Sequence, residues 1–216
     1  MWRDQLTGLA AHRPVVTDVH ARNDSIEAMA AALLREHAGP LVLCGTSMGG
    51  MVAMEAARQA PERVVGLALL GTTPQPESDD MRRLREQAIA LFAQGRMEEV
   101  IRPNVALAFH PNNAGDAALV QRYLDFVFAA GSEQLIRQNR AVIGRPDART
   151  HLPQVRCPVL VMCGEADQLT PPAHSRAIAQ LCPRARLVMV PRCGHMLTME
   201  QPEAVNAGLE DWLRSL

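Results

Sequence analysis

The stretch from Leu41 to Ala60 constrains this chain more than any other. Leu41 to Cys44 is a short apolar run that reads as a buried strand. Gly45-Thr46-Ser47-Met48-Gly49 follows at once. Met48 to Ala60 then reads as a helix that Pro61 stops. A strand that passes straight into a helix around G-x-S-x-G needs a sharply bent backbone at the serine. Glycine on either side relieves the crowding of that bend. Such a turn exposes the Ser47 hydroxyl above the strand ends. It also sets Ser47 beside a helix N-terminus, where free N–H groups favour an oxyanion. The Met48 N–H is the natural first oxyanion donor. Gly50, Ala53, Ala56 and Ala57 let the helix pack closely on a sheet.

The same alternation of short β-branched runs and amphipathic stretches recurs along the chain. A short helix is expected at about Asp4 to His12 and a strand at Val15 to Val19. Asp24 or Ser25 can cap a helix running to about His37. Val64 to Leu70 is the next strand. From about Pro74 to Leu152 the periodicity is helical: Met81 to Gln94, Ala117 to Ala130 and Ser132 to Ile143, with breaks at Gly95, Pro103, Pro111 and Gly131. Strand and helix then alternate again: Val159 to Cys163, Ala173 to Leu181, Leu187 to Val190, and a last helix from Pro202 to near Ser215. The pattern predicts an α/β fold, a doubly wound, mostly parallel sheet flanked by helices. Residues 1–73 and 153–216 would form the core and 74–152 a helical cap.

Other classes fit poorly. The 216 residues suffice for one such domain. A net charge of −1 steers the chain neither to nucleic acid nor to an anionic membrane. No apolar run reaches the ~18 residues of a membrane span. The start, Met1-Trp2-Arg3-Asp4-Gln5, lacks the apolar core of a signal peptide, so a cytoplasmic protein is expected. The five cysteines form no C-x-x-C pair. Neither a disulfide framework nor a zinc site is suggested, and no metal or other cofactor is expected.

A serine hydroxyl needs a base to act as a nucleophile at neutral pH. In strand–elbow–helix sites of this kind the chain order is Ser, acid, His. His195 fits best, because Pro191-Arg192-Cys193-Gly194-His195 follows the last expected strand in a glycine-containing loop. Asp167, in Gly164-Glu165-Ala166-Asp167, lies just after a strand and would orient the imidazole. Glu165 is its competitor, and Asp167 could merely cap the turn before Pro171 and Pro172. His20, at a strand end, could reach the site. His110 and His151 could line a pocket, and His174 reads as a surface residue.

These residues carry a resemblance to the α/β-hydrolase superfamily, in the branch of small esterases, lactonases and 3-oxoadipate enol-lactonase-like proteins. Leu43 to Gly50 resembles the nucleophile elbow. Ala60-Pro61-Glu62-Arg63-Val64 resembles the stretch after it. Pro158-Val159-Leu160-Val161 with Gly164-Glu165-Ala166-Asp167 resembles the acid turn. Gly194-His195 with Glu200-Gln201-Pro202-Glu203 resembles the histidine loop. The resemblance implies hydrolysis of a small-molecule ester or lactone through an acyl-enzyme. It departs from the family in two places. Trp2-Arg3-Asp4-Gln5-Leu6 resembles the helix that follows the family's second oxyanion loop, and no His-Gly dipeptide occurs, so the fold is expected to be N-terminally shortened. The family's third strand, between those matching Val15–Val19 and Leu41–Cys44, would then be missing. The glycine-rich loop after the Val15–Val19 strand is also replaced, by Asp18 to Ser25. The alternative is a catalytically impaired relative that binds a ligand or partner. An exposed strand edge would favour an oligomer.

Overall fold

The computed structural model describes all 216 residues. Four strands form one sheet: β1 (Leu41–Thr46), β2 (Val64–Leu70), β3 (Val159–Gly164) and β4 (Ala185–Val190). All neighbours are parallel, and the spatial order is β1-β2-β3-β4, the order of the chain. The sheet is therefore not doubly wound. Every crossover steps the same way, and right-handed crossovers then put their helices on one face. Helix α4 (Met48–Gln59) links β1 to β2, and α8 (Pro172–Leu181) links β3 to β4. Both contribute to one core cluster, with α3 (Ile26–Glu36) beside them. Ser25 Oγ caps α3 by accepting the Ala28 N–H at 3.1 Å. The opposite face is covered by the outer helices instead. Leu9, just after α1 (Arg3–Gly8), and Val205, Leu209 and Trp212 of α10 (Pro202–Leu213) pack with Leu160, Met162 and Leu197, the last at the start of the single-turn α9 (Leu197–Glu200).

Val15 to Val19 forms no strand. Residues 13–18 are irregular, and a single helical turn, α2 (Val19–Arg22), follows. Val15 is 75% exposed and Val16 54%. β-Propensity is a preference for a pleated, half-buried surface, and here no strand stands alongside to supply one. The consequence reaches β1. It pairs only with β2, and it is not the fully buried strand its sequence suggests: Val42 is 44% exposed and Cys44 is also exposed.

Between β2 and β3 come α5 (Asp79–Ala93), α6 (Met97–Ala108) and α7 (Ala117–Ile143). Gly131 kinks α7, with φ +73°, where the sequence marks a break. Pro103 breaks nothing. It sits inside α6, a helix that the sequence reading missed because the proline hid its periodicity. Both ends of this helical stretch are tied to one another. Ala148 N–H donates to Pro74 O at 2.9 Å, and the buried Arg145 pairs with Glu77 at 2.9 Å and donates to Gln75 O. No helix is long and apolar enough to cross a membrane.

Candidate active site

Ser47 sits between β1 and α4 with φ +52° and ψ −120°, a conformation few non-glycine residues adopt. Its strain of about 1–3 kcal/mol is held by two bonds to the end of β2. Ser47 N–H donates to Leu70 O at 2.9 Å, and Thr72 Oγ1 donates to Ser47 O at 2.7 Å. The two glycines of the motif are not equivalent. A Cβ on Gly45 would overlap the backbone of Gly49 and Gly50, whereas one on Gly49 would meet nothing within 4 Å. Gly50 is the second tight position, because a Cβ there would lie 2.7 Å from Thr72 Cγ2. Met48 is the first residue of α4, so its N–H has no carbonyl of its own helix to bind.

The structure brings Ser47, His195 and Asp167 together. His195 Nε2 lies 3.0 Å from Ser47 Oγ, and His195 Nδ1 lies 2.9 and 3.1 Å from the two Asp167 oxygens. The side chains of His195 and Asp167 are 8% and 0% exposed. Asp167 also caps its turn: Oδ1 accepts the N–H groups of Leu169 and Thr170 at 2.9 and 2.8 Å, and Oδ2 accepts the Thr170 hydroxyl at 2.9 Å. Burial alone would raise its pKa. The hydrogen bond and charge of His195, with the Thr170 bonds, outweigh burial and hold the carboxyl below its usual value. Glu165 is exposed, and its backbone N–H merely continues the sheet to Val190 O.

Close backbone approaches make this convergence possible. A Cβ on Gly164 would overlap the carbonyls of Cys193 and Gly194, so glycine lets the acid turn and the histidine loop touch. A Cβ on Gly194 would fall 2.6 Å from His110 N and 2.9 Å from Phe109 Cα on the other side. Thr72, Thr170 and Glu200 are site residues that the motif reading did not assign. Only Glu200 had a signal, its place in the stretch after His195. The other histidines stand apart: His20 lies in α2, and neither it, His110, His151 nor His174 hydrogen-bonds a triad member. Cys193 is buried, and burial pushes its thiol pKa up. A cleft of about 240 Å³ lined by Met1, Arg3, Arg122, Asp125 and Met199 includes no triad residue.

The model of the Alpha/beta hydrolase family matches residues 1–207. The chain belongs to the alpha/beta hydrolase family. Among other members, it is 31% identical over 186 residues to a pimeloyl-[acyl-carrier protein] methyl ester esterase of Nitrosomonas europaea, covering 83% of this chain and 74% of that one. A thermophilic esterase from Thermogutta terrifontis superposes with a TM-score of 0.84 at 29% identity, over 89% of this chain and 73% of the other. The enol-lactonase of Burkholderia xenovorans LB400 shares the fold, with a TM-score of 0.79 at 22% identity over 88% of this hydrolase and 73% of that chain.

Proposed function

We infer that this alpha/beta hydrolase cleaves a small carboxylic ester or lactone through an acyl-enzyme on Ser47. One observation carries the reading: His195 Nε2 stands 3.0 Å from Ser47 Oγ, with Asp167 behind it on Nδ1. His195 takes the Ser47 proton as Oγ attacks the carbonyl carbon. The Met48 N–H stabilises the oxyanion. On collapse, the C–O bond to the leaving alcohol breaks, and His195 gives that oxygen its proton. Water, deprotonated by His195, then attacks the acyl-enzyme and releases the acid and Ser47. Asp167 holds the imidazole with Nδ1–H towards the carboxylate and stabilises the imidazolium. Residues 74–152 act as a cap over this site and select the acyl or alcohol group. The name of the Nitrosomonas relative makes methyl esters the first substrates to screen.

A binding protein on the same scaffold is the second reading. It is favoured by the oxyanion site, for which Met48 is the one donor assigned. Leu6, in the segment that resembles the helix after the family's second oxyanion loop, spends its N–H on Trp2 O at 2.9 Å. A missing oxyanion donor costs about 10²–10³ in kcat.

A fluorophosphonate probe read by intact mass tests both without knowledge of the substrate. Hydrolase chemistry gives one adduct per chain, lost in Ser47→Ala and in His195→Ala. A folded chain that takes up no adduct overturns the reading in favour of binding without turnover.

A further inference from the structure

The loop that carries His195 is gripped from two sides. From the sheet side, Cys193 O accepts the Ala166 N–H at 3.0 Å. From the helical insertion the grip is stronger and falls on the histidine itself. Ala108 O, at the end of α6, accepts the N–H of His195 at 2.9 Å and that of Met196 at 3.2 Å. One side chain closes the arrangement. Glu200 Oε1 accepts the Gly194 N–H at 2.8 Å. Its Oε2 accepts the His110 N–H and the Asn113 Nδ2–H, both at 2.8 Å.

All three of these partners are donors, as is the Cys193 thiol, whose Sγ lies 3.9 Å from Oε1, and two of the three belong to the insertion. A carboxylate, with acceptor capacity at both oxygens, satisfies all three, whereas an amide turns one of its ends into a donor against a donor. The turn being held is also strained. Arg192 has φ +52°, and its carbonyl accepts from Asn113 Nδ2 and Gln201 Nε2, each at 3.3 Å. Asn113 therefore touches both Glu200 and the strained residue.

We propose that Glu200 is a positioning residue that fastens the His195 loop to the segment from Ala108 to Asn113, so that seating the insertion and forming the Ser47–His195 pair are one event. The proposal rests on the reading of Ser47, His195 and Asp167 as a triad. Displacement of a catalytic group by about 1 Å can cost 10²-fold in rate, and the only other side-chain bond from the insertion to this loop is the longer one from Asn113 Nδ2 to Arg192 O at 3.3 Å.

The test uses the whole chain and the fluorophosphonate rate, with Glu200→Gln as the isosteric variant and Asn113→Ala as a milder one. Glu203→Gln, an exposed neighbour with no ion pair, is the control. The downfield proton NMR signal of the His195 Nδ1–H is read in parallel, and thermal melts confirm that each variant is folded. Glu200→Gln is expected to slow labelling of folded protein by about tenfold and to shift the His195 signal. Asn113→Ala is expected to do both to a smaller degree, and Glu203→Gln to do neither. Labelling by Glu200→Gln within about threefold of wild type overturns the proposal, as does slower labelling with the His195 signal unmoved. If wild type itself takes no label, the hydrolase reading falls. The NMR shift then decides the coupling on its own: a shift keeps it and no shift overturns it.

Discussion

At the strand tips, the backbones of the elbow, the acid turn and the histidine loop run so close that a methyl group on Gly45 or Gly164 has no room. At the other extreme, Val15 and Val16 stand in irregular chain with most of their surface in water. Both regions carry strong local signals. The glycine-serine signal at the elbow is met by partners the chain itself supplies, namely Leu70 O, Thr72 and His195. The β-branched signal at Val15 and Val16 is met by nothing. Local preference becomes structure only where something stands opposite to receive it, because an extended segment alone leaves its N–H and C=O groups to water. The same asymmetry runs through β1, bound to β2 along one edge and bare along the other.

The largest expected effect lies at the crowded end. Asp167→Asn keeps the size of the side chain but removes the charge that stabilises the imidazolium. Hydrolysis should fall by about 10⁴, measured as kcat on whichever ester the wild type accepts, with the fold retained by circular dichroism. A loss under about tenfold would show that Asp167 serves mainly as a turn cap. The pH dependence of stability follows from the same group. Its folded pKa lies below its unfolded value, so the stability it contributes is present above the unfolded pKa and is lost as pH falls through the folded one. Acid unfolding of the wild type should therefore be steeper than that of Asp167→Asn below about pH 4.

Next come the two glycines of the motif, which a sequence pattern treats alike. Gly45→Ala drives a methyl into the backbone of Gly49, and overpacking of this kind costs about 1–3 kcal/mol or more. Gly49→Ala points into open space within α4. It should leave stability unchanged or raise it by up to about 1 kcal/mol. Urea midpoints of the two variants measure the difference directly. Equal destabilisation would mean that the tight approach at Gly45 relaxes easily.

Much of this site was legible in the sequence, for a physical reason. Ser47, Asp167 and His195 each follow the end of a strand, and parallel strands carry their ends to one edge. The elbow, Val64–Leu70 and a cap at Asp24 or Ser25 were legible because they depend on short-range pattern, and the structure selects Ser25. Elements that depend on a distant partner were not. The strand order, the exposure of Val42 and Cys44, and the fate of Val15 and Val16 are settled by which strand lies beside which. Helix α6 escaped because one proline outweighed its periodicity, although a helix can carry proline where surrounding packing offsets the lost bond. Thr72 and Thr170 have no motif of their own. They became visible only when the turns they brace were seen side by side.

The smallest expected effect tests the bare end. If residues 13–18 take no part in a sheet, Val15→Ser and Val16→Ser remove β-propensity and apolar area that the folded chain does not use. Each should change the unfolding free energy by less than about 0.5 kcal/mol, as exposed substitutions do. Protein concentration makes the measurement sharper. A second copy pairing along the free edge of β1 would bury Val42 and give the neighbouring valines a strand to lie against. The same substitutions would then cost more at high concentration than at low. A penalty independent of concentration and below about 0.5 kcal/mol assigns the exposed edge to the single chain. A penalty that grows with concentration assigns it to an assembly, and the contrast between the two ends of the molecule would then hold only for the isolated protomer.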